Sequence, residues 1–120
     1  MTQRKLSLLF IEDDEQIREL TTMVLQREGH SVLATSCAQS ALEDLNKVHY
    51  DLVLSDFFLE DTNGLELIEK IREFNQTIPI IVATGNRELV QESITDNNVY
   101  IIHKPFRSRD LLVLINEVCP

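Results

Sequence analysis

Short apolar runs alternate about five times with segments of helical periodicity, and nothing between them resembles a linker. The apolar runs predict strands at 8–11, 31–35, 52–54, 78–82 and 99–102. Each run is followed by a segment with the apolar spacing of an amphipathic helix. Strands that are apolar throughout, each followed by a helix, are typical of a parallel sheet covered on both faces. We therefore predict one α/β domain over residues 1–120, with a doubly wound, five-stranded parallel sheet.

Polar residues predict where the helices begin and end. Ser36 is the predicted N-cap of the second helix and Ser108 that of the last, while Gly29 is expected to end the first. The fourth helix, predicted near 87–95, has the weakest apolar face. The first helix is expected to bury one face, formed by Ile17, Leu20, Val24 and Leu25.

Charged and polar side chains stand where four of the predicted strands end. Glu12 and Asp13 follow the first strand, Asp56 the third, Thr84 the fourth and Lys104 the fifth. In open parallel sheets, ligands bind beyond the carboxyl ends of the strands. We therefore expect three carboxylates, a hydroxyl and an ammonium group to meet at one edge of the sheet.

Three carboxylates held close together repel one another unless a cation lies among them. An all-oxygen cluster suits a hard divalent ion such as Mg²⁺, with Glu12, Asp13 and Asp56 as candidate ligands. Those three negative charges, the positive charge of Lys104 and one divalent ion sum to zero. A carboxylate can also attack phosphorus and form an acyl phosphate, while cations and hydroxyl groups stabilise the phosphoryl oxygens.

The composition limits the classes of partner and the cellular location that we expect for this domain. The formal net charge of −9 and the pI of about 4.7 make nucleic acid a poor partner for this domain. No apolar run approaches the roughly 20 residues of a membrane span, and the N-terminus lacks the pattern of a signal peptide, so we predict a cytoplasmic protein without membrane contact. Cys37 and Cys119 lack CxxC spacing and are expected to be reduced thiols.

Five separated motifs agree in order and spacing with one known family. They are Glu12-Asp13, Asp56, Gly64, Thr84-Gly85 and Lys104-Pro105-Phe106. Over essentially its whole length, the chain resembles the receiver domain of bacterial response regulators. The resemblance implies a flavodoxin-like sheet of strand order 2-1-3-4-5 and a signalling switch rather than an enzyme in the ordinary sense.

The resemblance also implies roles for particular residues. Asp56 is expected to accept a phosphoryl group from a partner histidine kinase or phosphotransfer protein. Mg²⁺ is expected on Asp13, Asp56 and the backbone carbonyl of Phe58, while Thr84 and Lys104 contact the phosphoryl group. The peptide bond that follows Lys104 is expected to be cis.

In this family, the fourth helix, the fifth strand and the fifth helix form the surface that changes on phosphorylation. Here that surface is expected to include Leu89, Ile101 and Leu111, and it would be available for a homodimer. The effector, whether a domain or a separate protein, is not identified by the sequence, and the chain is either a complete regulator or part of a longer protein.

Three positions depart from the family pattern. Glu60 stands where a proline is usual, and Ile101 stands where an aromatic switch residue is usual. Tyr100, one step earlier, is expected on the opposite face of its strand. Phe58 occupies the position of a polar side chain that could orient a hydrolytic water, so slow self-dephosphorylation is expected.

Two other functions compete with a phosphorylation switch. One is a protein-binding module that keeps the fold but is not phosphorylated, although Asp56, Thr84 and Lys104 are all present. The other is a phosphohydrolase with an aspartate nucleophile, a class whose best-known family has a second aspartate two residues later. Phe58 occupies that position here and disfavours a hydrolase.

Overall fold

Five strands and five helices alternate along the part of the chain that the structure describes. The structure is a computed structural model and describes residues 4–120. The strands are β1 (Ser7–Ile11), β2 (Ser31–Thr35), β3 (Leu52–Asp56), β4 (Ile80–Thr84) and β5 (Val99–His103). The helices are α1 (Glu15–Arg27), α2 (Ala38–Lys47), α3 (Gly64–Phe74), α4 (Arg87–Ser93) and α5 (Ser108–Val118).

All five strands pair in parallel, in the order β2-β1-β3-β4-β5, which confirms the predicted fold. Strand β4 lies two residues later than predicted. Pro79 has no N–H to donate to a ladder, and its carbonyl instead accepts from Val53 at 3.0 Å, so regular pairing begins at Ile80. This shift makes Thr84 the last residue of the strand.

Two apolar layers enclose the sheet. Side chains alternate along β1: Leu9 and Ile11 pack towards α2, α3 and α4, whereas Leu8 and Phe10 pack towards α1 and α5. Because both faces of the central strands are covered, their side chains are apolar at nearly every position.

Leu111 belongs to the core rather than to the surface. Only 1% of it is exposed, and it packs with Ile115 on the side of α5 that faces the sheet. The prediction that Leu111 lies on a dimer surface was therefore wrong. The four-residue spacing from Leu111 to Ile115 places both side chains on the same, inward face of the helix.

The expected buried face of α1 was only partly right. Leu25 is fully buried, but Ile17 is 42% exposed and Leu20 is 63% exposed. The amino-terminal half of the helix borders an open groove rather than a packed layer. Apolar and small side chains of α1 and the segment before α5 line this groove, among them Ile17, Thr21, Val24 and Phe106.

Both predicted serine caps were wrong. Cys37 occupies the N-cap position of α2, and the Asp61 carboxylate accepts hydrogen bonds from the N–H groups of Ala38 and Gln39, both at 3.3 Å. Ser108 is the first helical residue of α5. There the Asp110 carboxylate accepts from the Arg107 N–H at 3.1 Å.

Arg72, on α3, joins three segments at the amino-terminal end of the sheet. Its guanidinium binds both carboxylate oxygens of Asp96, at 2.7 and 3.3 Å. It also donates to the carbonyls of Asn75, Ile78 and Asn98. The bidentate ion pair and the Asn98 carbonyl fix the loop between α4 and β5 against α3, while the other two carbonyls tie down the segment between α3 and β4.

Within residues 4–120, no helix combines the length and the apolar character required to cross a membrane. Cys37 and Cys119 both carry free thiols, and Cys119 is buried.

Candidate functional site

The five polar residues at the strand ends come together at one edge of the sheet. Glu12 and Asp13 directly follow β1, Asp56 and Thr84 end β3 and β4, and Lys104 directly follows β5. Carboxylate oxygens of Glu12, Asp13 and Asp56 lie within 4.8 Å of one another. The Lys104 ammonium lies 2.9 Å from Asp56 Oδ2 and 3.9 Å from Glu12 Oε2.

Glu12 is the most buried of the three acids, with 4% of the residue exposed. Burial raises the pKa of Glu12, and the nearby charges of Asp56 and Asp13 act in the same direction. The Asp14 N–H, which donates to Glu12 Oε1 at 3.1 Å, and the charge of Lys104 act in the opposite direction. The net increase in pKa means that the ionised form of Glu12 is disfavoured, mainly by burial.

The donor set fits Mg²⁺. Three oxygen ligands converge, one of them from a buried carboxylate, and the Lys104 ammonium group offsets one of their three negative charges. Hard divalent ions prefer oxygen ligands, and Mg²⁺ is commonly held by one or two carboxylates together with water.

The turn between β1 and α1 determines where Glu12 and Asp13 stand. Asp14 caps α1 by accepting from the Ile17 N–H at 3.0 Å. Arg18 Nη1 donates to the Glu12 carbonyl at 2.8 Å and approaches the Asp13 carbonyl at 3.5 Å. Arg18 was not singled out from the sequence, because an arginine one turn into an amphipathic helix resembles any solvated one.

Thr84 and Lys104 lie at the carboxyl ends of the neighbouring strands β4 and β5. Thr84 is 1% exposed, and its Oγ1 accepts from the Asn86 N–H at 3.1 Å. The Lys104 N–H donates to the Thr84 carbonyl at 2.8 Å, so the two residues are tied through the main chain. The Lys104–Pro105 peptide bond is cis, as the resemblance implied.

Phe58 lies in the loop that follows β3, two residues beyond Asp56. It is 59% exposed and forms an isolated bridge with Asn63. Its ring lies edge-on to Phe57, with the ring centroids 5.0 Å apart. Phe57 in turn packs against Gly64, where a β-carbon would overlap its ring, so glycine allows the loop to close over the sheet.

Neighbouring side chains of β5 pack into the two different apolar layers of the fold. Ile101 packs towards the layer that contains Val90 of α4, whereas Tyr100 packs on the other side of the sheet. The predicted alternation of these two residues is therefore confirmed. The Tyr100 hydroxyl binds Asn98 Oδ1 at 3.1 Å, and on α4 Leu89 is 58% exposed.

Comparison with known proteins gives a consistent result. Residues 8–116 match the family model described as the response regulator receiver domain. The transcriptional regulatory protein ResD of Bacillus subtilis (strain 168) is 33% identical over 116 residues, which cover 92% of this chain and 47% of that protein. The transcriptional regulatory protein SrrA of Staphylococcus aureus (strain NCTC 8325 / PS 47) has the same identity over 92% of this chain and 46% of its own length.

Among solved structures, a CheY-like receiver domain protein of Methanospirillum hungatei JF-1 superposes with a TM-score of 0.83. It is 30% identical, and the match covers 95% of this chain and 93% of that one. The chemotaxis response regulator CheY4 of Vibrio cholerae has a TM-score of 0.87 at 24% identity, covering 96% and 99%, and supports the fold. The chain spans about half the length of the curated relatives that it matches.

Proposed function

The chain belongs to the response regulator receiver domain family, and on that premise we propose that it is a switch that accepts a phosphoryl group on Asp56. Its donor would be a histidine kinase or a histidine-containing phosphotransfer protein of a two-component system. The observation that carries the proposal is the contact of Asp56 Oδ2 with Lys104 at 2.9 Å inside a cluster of three carboxylates.

In the proposed transfer, an Asp56 carboxylate oxygen forms a bond to phosphorus while the bond from phosphorus to the donor's imidazole nitrogen breaks. The imidazole takes up a proton as it leaves, and Asp56 becomes an acyl phosphate. Lys104 neutralises Asp56 before transfer and is placed to pair with a phosphoryl oxygen afterwards. The Thr84 hydroxyl, at the end of the adjacent strand, would donate to another phosphoryl oxygen.

Asp13, Asp56 and the Phe58 carbonyl would hold Mg²⁺, with Glu12 beside them. When bound, the ion would neutralise the carboxylates and the charge on the moving phosphoryl group. Without such a cation, the three acids exceed their one lysine partner by two charges.

The phosphorylation-independent binding module is disfavoured by the same geometry. A module that needs only the fold gains nothing from a buried glutamate beside two further acids, since that arrangement costs stability. An arrangement that is costly for the fold and suited to one reaction is typical of a functional site.

The output would pass through α4 and β5, where Leu89 and Ile101 lie, to an effector. Because Ile101 replaces the usual aromatic residue, the response would depend on movement of α4 rather than on rotation of a ring. A cytoplasmic location, a single domain over residues 1–120 and a homodimer through Leu89 and Ile101 remain predictions.

The test is the intact mass of the protein after incubation with a small phosphodonor and MgCl₂. The parent should gain the mass of one phosphoryl group, and Asp56→Asn should gain none. Omission of MgCl₂ should also prevent the gain. A parent that gains no mass, or an Asp56→Asn variant that gains as much as the parent, would contradict the proposal.

A second measurement concerns the lifetime of the phosphorylated form. We expect slow loss of the phosphoryl group, because the exposed apolar ring of Phe58 offers no group to orient water. Phe58→Asn should shorten the lifetime by about tenfold, which corresponds to about 1.4 kcal/mol in the barrier. Equal lifetimes for parent and variant would remove the role given to Phe58.

A further inference from the structure

Arg18 lies next to the acidic pocket but binds none of its carboxylates. Its guanidinium reaches from the second turn of α1 to the main-chain carbonyls of Glu12, at 2.8 Å, and Asp13, at 3.5 Å. Among the salt bridges formed by residues 4–120, none involves Arg18. An arginine near an excess of acids would ordinarily form a bidentate pair with one of them.

Because Arg18 contacts backbone carbonyls, it does not occupy the carboxylate oxygens of the pocket. A salt bridge from Arg18 to Asp13 would occupy the oxygens that a cation requires, whereas a hydrogen bond to the backbone does not. The hydrogen bond from Arg18 also fixes the orientation of Glu12 and Asp13, because the carbonyl of Glu12 belongs to the peptide unit that joins them. The Asp14 N–H, bound to Glu12 Oε1 at 3.1 Å, restrains the same turn from its other side.

We propose that Arg18 is a positioning residue for the metal site: it holds the Glu12–Asp13 backbone so that both carboxylates face Asp56. This inference rests on the proposed function, because it assigns Arg18 a role in a site that binds Mg²⁺. Groups that orient metal ligands without touching the metal commonly contribute 10- to 100-fold to affinity. Arg18 acts through the backbone of its ligands, so its effect is expected at the lower end of that range.

The charge of Arg18 and its hydrogen bonds predict opposite effects. As a positive charge near the pocket, Arg18 repels Mg²⁺, so its removal should tighten binding if electrostatics alone matter. As a positioning group, it orders the ligands, so its removal should weaken binding. The sign of the change in affinity therefore decides between the two roles.

The experiment is a titration with MgCl₂ alone, at constant ionic strength, followed through the backbone amide NMR signals of Asp13, Asp14 and Asp56. Arg18→Gln should raise the Kd for Mg²⁺ by about tenfold. The matched control is Arg27→Gln, which removes the same charge from the same helix about 13 Å farther along its axis, beyond the screening length. The control should bind Mg²⁺ as the parent does.

The phosphorylation rate of Arg18→Gln should differ from that of the parent at low Mg²⁺ but not at saturating Mg²⁺. At low Mg²⁺, Arg18→Gln should be phosphorylated slowly by a small phosphodonor, and at saturating Mg²⁺ its rate should return to within about twofold of the parent's. General damage to the fold would lower the rate at every Mg²⁺ concentration, and it would also lower the midpoint of thermal unfolding.

Unchanged or tighter Mg²⁺ binding by Arg18→Gln would overturn the inference while leaving the proposed function intact. A parent whose amides do not respond to MgCl₂ would contradict the metal site in the proposed function, and the role of Arg18 with it. If Arg18→Gln does not fold, Arg18→Lys serves instead, because it keeps the charge but replaces the planar guanidinium by a single ammonium nitrogen. It should bind Mg²⁺ more weakly than the parent, and equal or tighter binding would overturn the inference.

Discussion

The two ends of the sheet use aspartate and glutamate in opposite ways. At the amino-terminal end, Asp51 accepts from the Ser7 N–H at 2.8 Å and lies 3.3 Å from both Arg4 and His49. Burial opposes its ionisation, but these three partners outweigh burial and lower the pKa of Asp51. At the carboxyl end, burial and neighbouring acids raise the pKa of Glu12.

The two ends of the sheet differ in the number of hydrogen-bond donors and cations available to each carboxylate. Asp51 has a backbone N–H, a guanidinium and an imidazole to itself, so its charge stabilises the fold. The three acids at the other end share one lysine, and the charge of the buried Glu12, whose pKa is raised, opposes the fold. Asp51 and Glu12 thus make contributions of opposite sign, and both the number of donors and the depth of burial account for the difference.

The largest effect is expected at the amino-terminal end. Asp51→Ala removes a charged acceptor and leaves the Ser7 N–H without its partner, so the free energy of unfolding should fall by about 2 kcal/mol. Denaturant unfolding at pH 7 measures this.

The pH dependence provides the control for Asp51. Because the folded state lowers its pKa, the contribution of Asp51 is present above the usual aspartate pKa of about 3.9 and is lost as the pH falls below it. The difference between parent and Asp51→Ala should therefore shrink in acid. A difference that stays constant down to pH 2 would assign the effect to packing instead.

The opposite sign is expected for Asp13→Asn. With divalent ions removed and at low salt, the loss of one of three crowded charges should raise the free energy of unfolding by about 1 kcal/mol. Addition of MgCl₂ should then stabilise the parent but hardly affect Asp13→Asn, because the variant has lost a ligand. If Asp13→Asn is destabilised as Asp51→Ala is, the contrast between the two ends fails.

A smaller change in the free energy of unfolding should show that position at the carboxyl end of the sheet does not by itself make a carboxylate destabilising. Asp61 lies in the loop that follows β3, at the carboxyl end, but it has two backbone donors at the start of α2. Asp61→Ala should therefore lower the free energy of unfolding by about 0.8 kcal/mol, as the loss of a helix cap does. Ser36→Ala, which alters the cap predicted from the sequence, should leave stability nearly unchanged in the same denaturant unfolding assay.

The strand ends were predictable because two independent patterns coincide there. An apolar run that stops at a charged residue marks both the end of a strand and the start of a site, as at Ile11 followed by Glu12. The parallel topology then brings separated residues to one edge. Pattern and topology together were enough to assemble Glu12, Asp13, Asp56, Thr84 and Lys104.

Contacts between distant segments could not be predicted in this way. The cap of α2 comes from Asp61, 23 residues after Ala38, and no local signal connects them. The exposure of Leu20 shows a related limit, because helical periodicity reports that a face is apolar but not that something covers it. Arg18 was missed because its partners are backbone carbonyls, which every residue carries.

The ion pair of Arg72 and Asp96 has a mechanical consequence. The ion pair holds the segment that follows α4 in place. The segment that precedes α4 leads directly from Thr84 through Gly85 and Asn86. A displacement that starts at Thr84 would therefore reach α4 through its N-cap residue Asn86, whose N–H donates to Thr84 Oγ1 at 3.1 Å. The helix would then rotate about the segment that Arg72 holds at Asp96. Leu89, near the start of α4, would therefore move farther than Ser93 at its end.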